Sequence, residues 1–221
     1  MFSGRLEILL GRKAGESLQS FHCKPILYFG SGALEQLRQC RAASVLVVTD
    51  RFFAENGLAQ RVGALVPNAA VTIFSEVTPD PSAELVARGA AVLRQCRPDA
   101  VIALGGGSPM DCAKAIVYLQ EPQPFFVAIP TTSGTGSEVT RFSIVTHNGV
   151  KHPLVDEALL PDWAILDSDL LANLPKGLIA DAGMDVISHS RSRGGQRGLS
   201  LLRRPGHRQL PAVPAAPARF L

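Results

Sequence analysis

Continuous apolar runs of strand length alternate with helical stretches through the middle of this 221-residue chain. The pattern predicts strands over residues 44–49, 70–74, 100–104 and 125–129, with helices over residues 52–66, 82–96 and 111–119. These strands read as continuous Val, Ile and Leu runs and not as alternating patterns, which is typical of a parallel sheet covered by helices on both faces. The sequence therefore predicts an α/β fold with a doubly wound, mostly parallel sheet.

The third predicted strand leads directly into three glycines at residues 105–107 and then into a helix. Glycines let the backbone approach a ligand closely, and a helix N terminus offers unpaired N–H groups and a positive dipole end, so a nucleotide pyrophosphate is favoured. Ser108 is predicted as the N-cap, Pro109 as the first helical residue and Asp111 as the carboxylate that closes a capping box. A tight turn without a ligand is the alternative, because Met110 stands where the fingerprint G-x-G-x-x-G has its third glycine.

A second turn rich in glycine and hydroxyl groups follows the fourth predicted strand. Its sequence is TTSGTGSE, residues 131–138. In an open parallel sheet, ligands bind outside the carboxyl ends of the strands. We therefore expect the two glycine-rich turns to line one crevice.

A candidate metal-binding pair lies further along the chain. Asp185 and His189 are spaced i and i+4, which places a carboxylate and an imidazole on one face of a helix. Both groups can reach one metal ion there, although such a pair is also a common surface contact. The pair alone leaves both interpretations open.

Charge is distributed unevenly along the chain. Residues 191–221 contain seven of the 22 basic residues and no acidic residue, so residues 1–190 carry 15 basic and 19 acidic residues, a net charge of −4. The predicted folded part therefore lacks the basic balance that is typical of nucleic-acid-binding domains, and we expect no nucleic-acid partner for it. For the tail alone, an arginine-rich arm that binds nucleic acid or a membrane is an alternative.

The remaining composition is that of an ordinary globular protein. No run of eighteen apolar residues is present, and residues 11–13 (Gly, Arg and Lys) interrupt the short apolar stretch near the N terminus. We therefore expect neither a membrane span nor a signal peptide, and a cytoplasmic location. The four cysteines lack C-x-x-C spacing, which argues against a zinc ribbon or a disulfide framework. They are Cys23, Cys40, Cys96 and Cys112.

Several motifs follow one another in a fixed order from about Pro25 to Ser190. They are GGGSxxD at residues 105–111, AIPTTSGTGSE at residues 128–138, LPD at residues 160–162, AILD at residues 164–167, and GMD at residues 183–185 with His189. Together they resemble the iron-containing (group III) alcohol dehydrogenases. The sequence FSEVTPDP at residues 74–81 is most similar to the 1-propanol dehydrogenases of bacterial microcompartments.

The resemblance implies a domain organisation and an activity. It implies a Rossmann-like cofactor domain over residues 1–175 and the start of a helical metal-binding domain over residues 176–190. The implied activity is reversible hydride transfer between NAD and a small primary alcohol or its aldehyde, with a divalent metal, iron or alternatively zinc. A glycerol dehydrogenase-like polyol oxidoreductase is the alternative on this fold. The implied partners are the substrate, a second copy of the chain and a microcompartment shell protein.

The resemblance also assigns roles to individual residues. The implied cofactor-binding residues are Asp50, Gly105, Gly106, Gly107, Ser108, Asp111, Thr131, Thr132, Thr135, Ser137 and Lys151. The glycines and Ser108 would line the pyrophosphate, and the threonines and Ser137 the nicotinamide side. Asp50 would accept from the adenosine ribose and repel a 2′-phosphate, which favours NAD, although the neighbouring Arg51 keeps NADP open. Lys151 is alternatively a solvated loop lysine. Asp185 and His189 match two of the four metal ligands of the family.

The resemblance ends where the composition changes. Family members continue into a helical domain that supplies two more histidine ligands, whereas this sequence turns to Arg, Gly, Pro and Ala after residue 190. Its prolines at residues 205, 211, 214 and 217 exclude a continuous helix. We expect a disordered tail over residues 191–221, produced by a shifted reading frame, and a truncated, inactive enzyme. A non-catalytic nucleotide-binding protein is the alternative.

Overall fold

The computed structural model describes residues 24–172, 174 and 176–193 of the chain. The strands are β1 (Ile26–Gly30), β2 (Ser44–Asp50), β3 (Ala70–Val77), β4 (Ala100–Gly105), β5 (Phe125–Pro130), β6 (Phe142–His147), β7 (Val150–Val155) and β8 (Trp163–Asp167). The α-helices are α1 (Arg51–Glu55), α2 (Leu58–Ala64), α3 (Ala83–Cys96), α4 (Gly107–Tyr118) and α5 (Lys176–Arg193). Short 3-10 helices span Ala33–Gln39, Ser137–Val139, Glu157–Leu159 and Ser168–Leu170.

Six strands form one parallel sheet in the order β1-β8-β5-β4-β2-β3. The chain runs from β2 outward to β3, crosses back to β4 on the other side of β2, and continues through β5 to β8. This reversal creates a topological switch point between β2 and β4, the place where open α/β sheets bind their ligands. The predicted doubly wound, parallel sheet is confirmed.

Helices cover both faces of the sheet, and alternate residues of each strand face opposite layers. In β2, Val45 and Val47 pack into the layer that contains α1 and α2. Leu46 and Val48 pack into the layer that contains α3 and α4. All four side chains are at most 1% exposed, which explains why the strand is apolar at successive positions.

The helices depart from the sequence prediction at two places. The helix predicted over residues 52–66 is two helices, α1 and α2, because Gly57 adopts a left-handed conformation with φ of 83° between them. The helix predicted to begin near Asp111 begins instead at Gly107, so Ser108 is not its N-cap and Asp111 closes no capping box. The helix predicted over residues 82–96 is confirmed, and Ser82 caps it by accepting from the Leu85 N–H at 3.2 Å.

Four strands of the structure were not predicted from the sequence, namely β1, β6, β7 and β8. β1 lies at the edge of the sheet next to β8. β8 lies inside the sheet between β1 and β5, and β6 pairs with β7 in an antiparallel hairpin. Helix α5 extends through residues 191–193, three residues into the segment expected to form the tail, and residues 194–221 lie outside the described part. None of the helices in the described part combines the length and apolar character that a bilayer crossing requires.

The cysteines behave as structural residues. Cys40 and Cys112 are buried and Cys96 is half-buried, and all three carry free thiols, whereas Cys23 lies outside the described residues. Burial raises the pKa of Cys112 to about 12 and also raises the pKa values of Cys40 and Cys96. These thiols therefore stay protonated and weakly nucleophilic at neutral pH.

Candidate nucleotide-binding site

A cavity of about 390 Å³ opens at the topological switch point. The carboxyl ends of β2, β3, β4 and β5 all contribute to its wall. The lining residues are Asp50, Phe52, Phe53, Val77, Thr78, Pro79, Gly106, Gly107, Ser108, Pro109, Thr131, Thr132 and Leu174. A larger cavity of about 700 Å³ lies at the amino ends of β4 and β5 and contains no predicted site residue. Position in the fold, and not size, therefore distinguishes the candidate site.

The first glycine-rich turn is tight enough to require its glycines. Gly105 has a φ of 143°, and a Cβ there would lie 2.5 Å from Cγ of Pro109. A Cβ on Gly106 would lie 3.2 Å from Oγ1 of Thr132 in the second turn. Because these two glycines have no side chains, helix α4 and the second turn can pack close to the end of β4.

The N terminus of α4 faces the cavity and has no side-chain cap. Its N-cap is Gly106, and the first helical hydrogen bond runs from the Met110 N–H to the Gly106 carbonyl at 3.2 Å. Gly107 and Ser108, whose N–H groups belong to the first turn, both line the cavity. An uncapped helix N terminus at a switch point is suited to bind an anionic group such as phosphate.

Asp50 lies at the end of β2 and lines the cavity. Its Oδ1 accepts a hydrogen bond from the Phe53 N–H at 3.1 Å, so the carboxylate caps helix α1. The cap fixes the orientation of this side chain beside the cavity. Asp50 therefore combines a structural role with a position suited to a ribose hydroxyl.

The second turn lies against the first. The Thr131 N–H donates to the Gly105 carbonyl at 3.0 Å, and Thr131 and Thr132 line the cavity. A Cβ on Gly107 would lie 3.5 Å from Cγ2 of Thr135, whose Oγ1 accepts from the Ser137 N–H at 3.3 Å. The expectation that the two turns line one crevice is confirmed.

Five of the predicted cofactor-binding residues do not line this cavity, namely Gly105, Asp111, Thr135, Ser137 and Lys151. Asp111 is half-buried on helix α4, where its Oδ1 accepts from the Ser137 hydroxyl at 3.2 Å. Burial raises the pKa of Asp111, and the Lys114 charge and the Ser137 hydrogen bond oppose that rise. The exposed Lys151 lies on β7, where its Nζ is 2.7 Å from Oδ1 of Asp80. Asp80 adjoins Pro79 of the cavity wall.

The candidate metal-binding pair lies on helix α5. Asp185 is half-buried against the second turn, since a Cβ on Gly134 would lie 3.1 Å from its Oδ2. His189 follows one turn later on α5, and its side chain lies outside the described part of the structure. Among the described residues, no group of three or more His, Cys, Asp or Glu side chains is placed to hold a metal ion.

Sequence reasoning missed one residue of the site region, Lys114. Its side chain is fully buried in α4, and burial lowers its pKa from 10.5 to about 8, against the opposing effects of Asp111 and Glu138. A single lysine among Ala113, Ala115, Ile116 and Val117 was the signal that could have identified it. Charged side chains are seldom fully buried unless they have specific partners.

Comparison with known proteins identifies the family. Residues 25–168 match the iron-containing alcohol dehydrogenase family. The chain is 41% identical over 180 residues to the 1-propanol dehydrogenase PduQ of Citrobacter freundii, covering 78% of this chain and 49% of that protein. It is 38% identical over 199 residues to the bifunctional aldehyde-alcohol dehydrogenase AdhE of Escherichia coli K12, covering 74% of this chain and 22% of that protein.

Solved structures agree with this assignment. Sulfoacetaldehyde reductase from Bifidobacterium kashiwanohense in complex with NAD+ superimposes with a TM-score of 0.74 at 30% identity, covering 79% of this chain and 53% of that one. A 1,3-propanediol oxidoreductase superimposes equally well, with coverages of 79% and 52%. The chain spans about half the length of the 1-propanol dehydrogenases that it matches. This chain belongs to the iron-containing alcohol dehydrogenase family.

Proposed function

We propose that this chain contributes the cofactor-binding part of an NAD-dependent alcohol dehydrogenase, which interconverts a small primary alcohol and its aldehyde. One observation carries the proposal: an uncapped helix N terminus, a glycine turn and a hydroxyl-rich turn converge on one cavity at the switch point of the sheet. This arrangement offers N–H donors to a pyrophosphate and hydroxyl groups to the rest of a dinucleotide. The family match and the NAD+ complex of a structural relative support it.

The cavity residues divide into regions that fit the parts of NAD. The first turn, Gly105 to Ser108, would hold the pyrophosphate at the N terminus of α4. Asp50, at the end of β2, would accept from the adenosine ribose hydroxyls. Thr131 and Thr132 would contact the nicotinamide side. Thr135 and Ser137 of the second turn, with Asp111 hydrogen-bonded to Ser137, would support that side.

The charge of Asp50 favours NAD over NADP. A carboxylate accepts hydrogen bonds from the 2′-hydroxyl of NAD but repels the 2′-phosphate of NADP. Arg51 is the nearest candidate for binding that phosphate, yet it is strongly exposed, with its Nε 3.7 Å from Oε1 of Glu55. Specificity is not uniform among similar proteins, because an NADPH-dependent butanol dehydrogenase of Clostridium saccharobutylicum is 37% identical to this chain over 188 residues.

The proposed activity also requires a divalent metal, for which iron is the first candidate and zinc the second. When bound, the metal supplies a Lewis acid that polarises the substrate oxygen. Asp185 and His189 would provide two of its ligands, a carboxylate and an imidazole, which suit either metal. The contact between Asp185 and the turn at Gly134 would place the pair beside the nicotinamide side of the cavity.

The proposed substrate and partners are suggested by proteins similar to this chain. Two of the similar proteins are 1-propanol dehydrogenases, so we propose a short primary alcohol such as 1-propanol, or its aldehyde, as substrate. A homodimer, a contact with a microcompartment shell protein and a location in such a compartment are further proposals. Lys151, which is paired with Asp80, would approach the cofactor only if this exposed ion pair opens.

Titration of the 221-residue chain with NADH tests the proposal. Saturable binding of one NADH per chain, followed by nicotinamide fluorescence and reversed by ADP-ribose, is the expected result. Binding without turnover when propionaldehyde and ferrous ion are added would favour the non-catalytic alternative. That alternative is supported by the candidate metal site, for which the described residues supply only Asp185 and the helical position of His189. Absence of NADH binding by folded protein would contradict both.

A further inference from the structure

We propose that Lys114 is a positioning residue, which fixes the second glycine-rich turn against helix α4 and thereby sets the width of the nucleotide cavity. The inference rests on the proposed function, because it concerns the same cavity. Lys114 does not line that cavity and is not one of the predicted cofactor-binding residues. Lys114 would act on the cavity through the backbone segment that its side chain contacts.

The ammonium group of Lys114 is saturated by acceptors from one short segment. Its Nζ donates to the Thr140 carbonyl at 2.7 Å, the Phe142 carbonyl at 2.8 Å and Oγ1 of Thr140 at 3.3 Å. An ammonium has three N–H groups, and here three oxygens accept from it. These oxygens lie where the second turn passes into β6. The lysine thus fastens the far end of the turn to α4.

The near end of the same turn is fastened to the first turn. The Thr131 N–H donates to the Gly105 carbonyl at 3.0 Å, directly before α4. Between the two ends, the Ser137 hydroxyl donates to Asp111 of α4 at 3.2 Å. Residues 131–142 therefore form a strap that is held to α4 and its preceding strand at three points, and Thr131 and Thr132 of the strap line the cavity.

Direct electrostatic attraction of the cofactor is a poor explanation for Lys114. It lies seven residues after Gly107, about two turns from the N terminus that faces the cavity, and the nearby Asp111 carboxylate offsets part of its charge. A role in stability alone is also a poor explanation. Buried charges are costly to desolvate, and an apolar side chain of similar size is often equally stabilising, whereas a buried charge with fixed partners selects one arrangement.

Two substitutions at Lys114 and one control test this role in the full chain. Lys114→Met keeps the length but removes every donor, and Lys114→Gln restores an amide donor without the charge. Ser143→Ala is the matched control, because the buried Ser143 hydroxyl also bonds to α4, to the Asp111 carbonyl at 2.8 Å, without belonging to the part of the strap that lines the cavity. For each protein, the Kd for NADH and the amide hydrogen exchange of residues 131–140 are measured.

Lys114→Met is expected to raise the Kd for NADH at least tenfold and to speed exchange in residues 131–140 at least tenfold. Lys114→Gln should raise the Kd and speed the exchange less than Lys114→Met does. Ser143→Ala should change neither the Kd nor the exchange rate by more than twofold. If folded Lys114→Met matches the wild type in both measurements, the inference is overturned while NADH binding by the wild type still supports the proposed function. If the wild type binds no NADH, the proposed function fails, and the exchange of residues 131–140 still decides whether Lys114 holds the strap.

Should neither Lys114 variant fold, wild-type hydrogen exchange decides the question. Because Lys114 fastens the far end of the strap to α4, residues 131–140 are expected to open with the same free energy as residues 107–118. Independent, faster opening of residues 131–140 that NADH does not slow would overturn the inference.

Discussion

At the residue scale, Asp50 caps α1 and is proposed to bind the adenosine ribose, and one substitution can separate the two roles. Asparagine is as good an N-cap as aspartate but carries no charge, so Asp50→Asn should keep the cap on α1 while removing the repulsion of a 2′-phosphate. We expect Asp50→Asn to keep the wild-type melting temperature and to reduce the preference for NADH over NADPH at least tenfold, measured as the ratio of the two Kd values. Asp50→Ala should in addition lose about 1 kcal/mol of stability. An unchanged cofactor preference in Asp50→Asn would remove Asp50 from the ribose site.

The buried Lys114 predicts a particular dependence of stability on pH. Its pKa is about 8 in the folded chain, compared with 10.5 for an exposed lysine. Between these values the unfolded chain binds more protons than the folded chain, so the free energy of unfolding contributed by Lys114 should rise with pH from about 8 to 10.5 and be flat below this window. Urea unfolding of the wild type and Lys114→Met across this range isolates the contribution. If the difference in unfolding free energy between the wild type and Lys114→Met fell with increasing pH, the folded chain would stabilise the ammonium form of Lys114 over the neutral form.

At the element scale, the packing of α3 on α4 depends on Gly89. A Cβ at this position would lie 2.3 Å from Cδ1 of Ile116 and 3.2 Å from Cε1 of Phe74. Gly89→Val should therefore destabilise the chain by about 1–3 kcal/mol through overpacking, measured by urea unfolding. Gly177→Val is the control, since a Cβ on Gly177, in helix α5, meets nothing within 4 Å. If Gly89→Val lowered the free energy of unfolding no more than Gly177→Val does, α3 and α4 would be able to move apart without cost.

The elements that the sequence predicted correctly are those with a local signal. Strands β2, β4 and β5 are apolar at nearly every position because both faces are covered, and Ser82 marks the start of α3. β6 lacks such a signal, since Phe142 and Ile144 are exposed while Ser143 is buried. Ser143 is tolerated inside because its hydroxyl donates to a carbonyl 32 residues away. Only the folded chain shows that partner.

In the candidate site, too, features with a local sequence signal were predictable and contacts between distant residues were not. Both glycine-rich turns are recognisable from composition, and the parallel sheet places them together. The partner of Asp111 is not recognisable, because Ser137 is 26 residues away and comes into contact only when the second turn folds onto α4. The local spacing instead suggested a capping box, which requires a helix start at Ser108 that the structure does not have.

At the scale of the whole molecule, the 221-residue chain alone is expected to be a poor dehydrogenase. Catalytic metal sites usually take three protein ligands, and the described residues offer Asp185 and the helical position of His189 without a third candidate. With NADH, propionaldehyde and ferrous or zinc ion, turnover should be more than tenfold below that of a full-length relative assayed in parallel. Turnover within tenfold would show that the pair suffices or that another ligand completes the site.

The Kd for NADH of Gly106→Val shows whether a dinucleotide binds where the first glycine-rich turn meets α4. A Cβ on Gly106 would already lie 3.2 Å from Oγ1 of Thr132, so valine leaves little room for the close approach of a pyrophosphate. With folding verified by circular dichroism and Gly177→Val as control, we predict a Kd at least tenfold higher than that of the wild type, about 1.4 kcal/mol. Wild-type affinity in folded Gly106→Val would contradict the account.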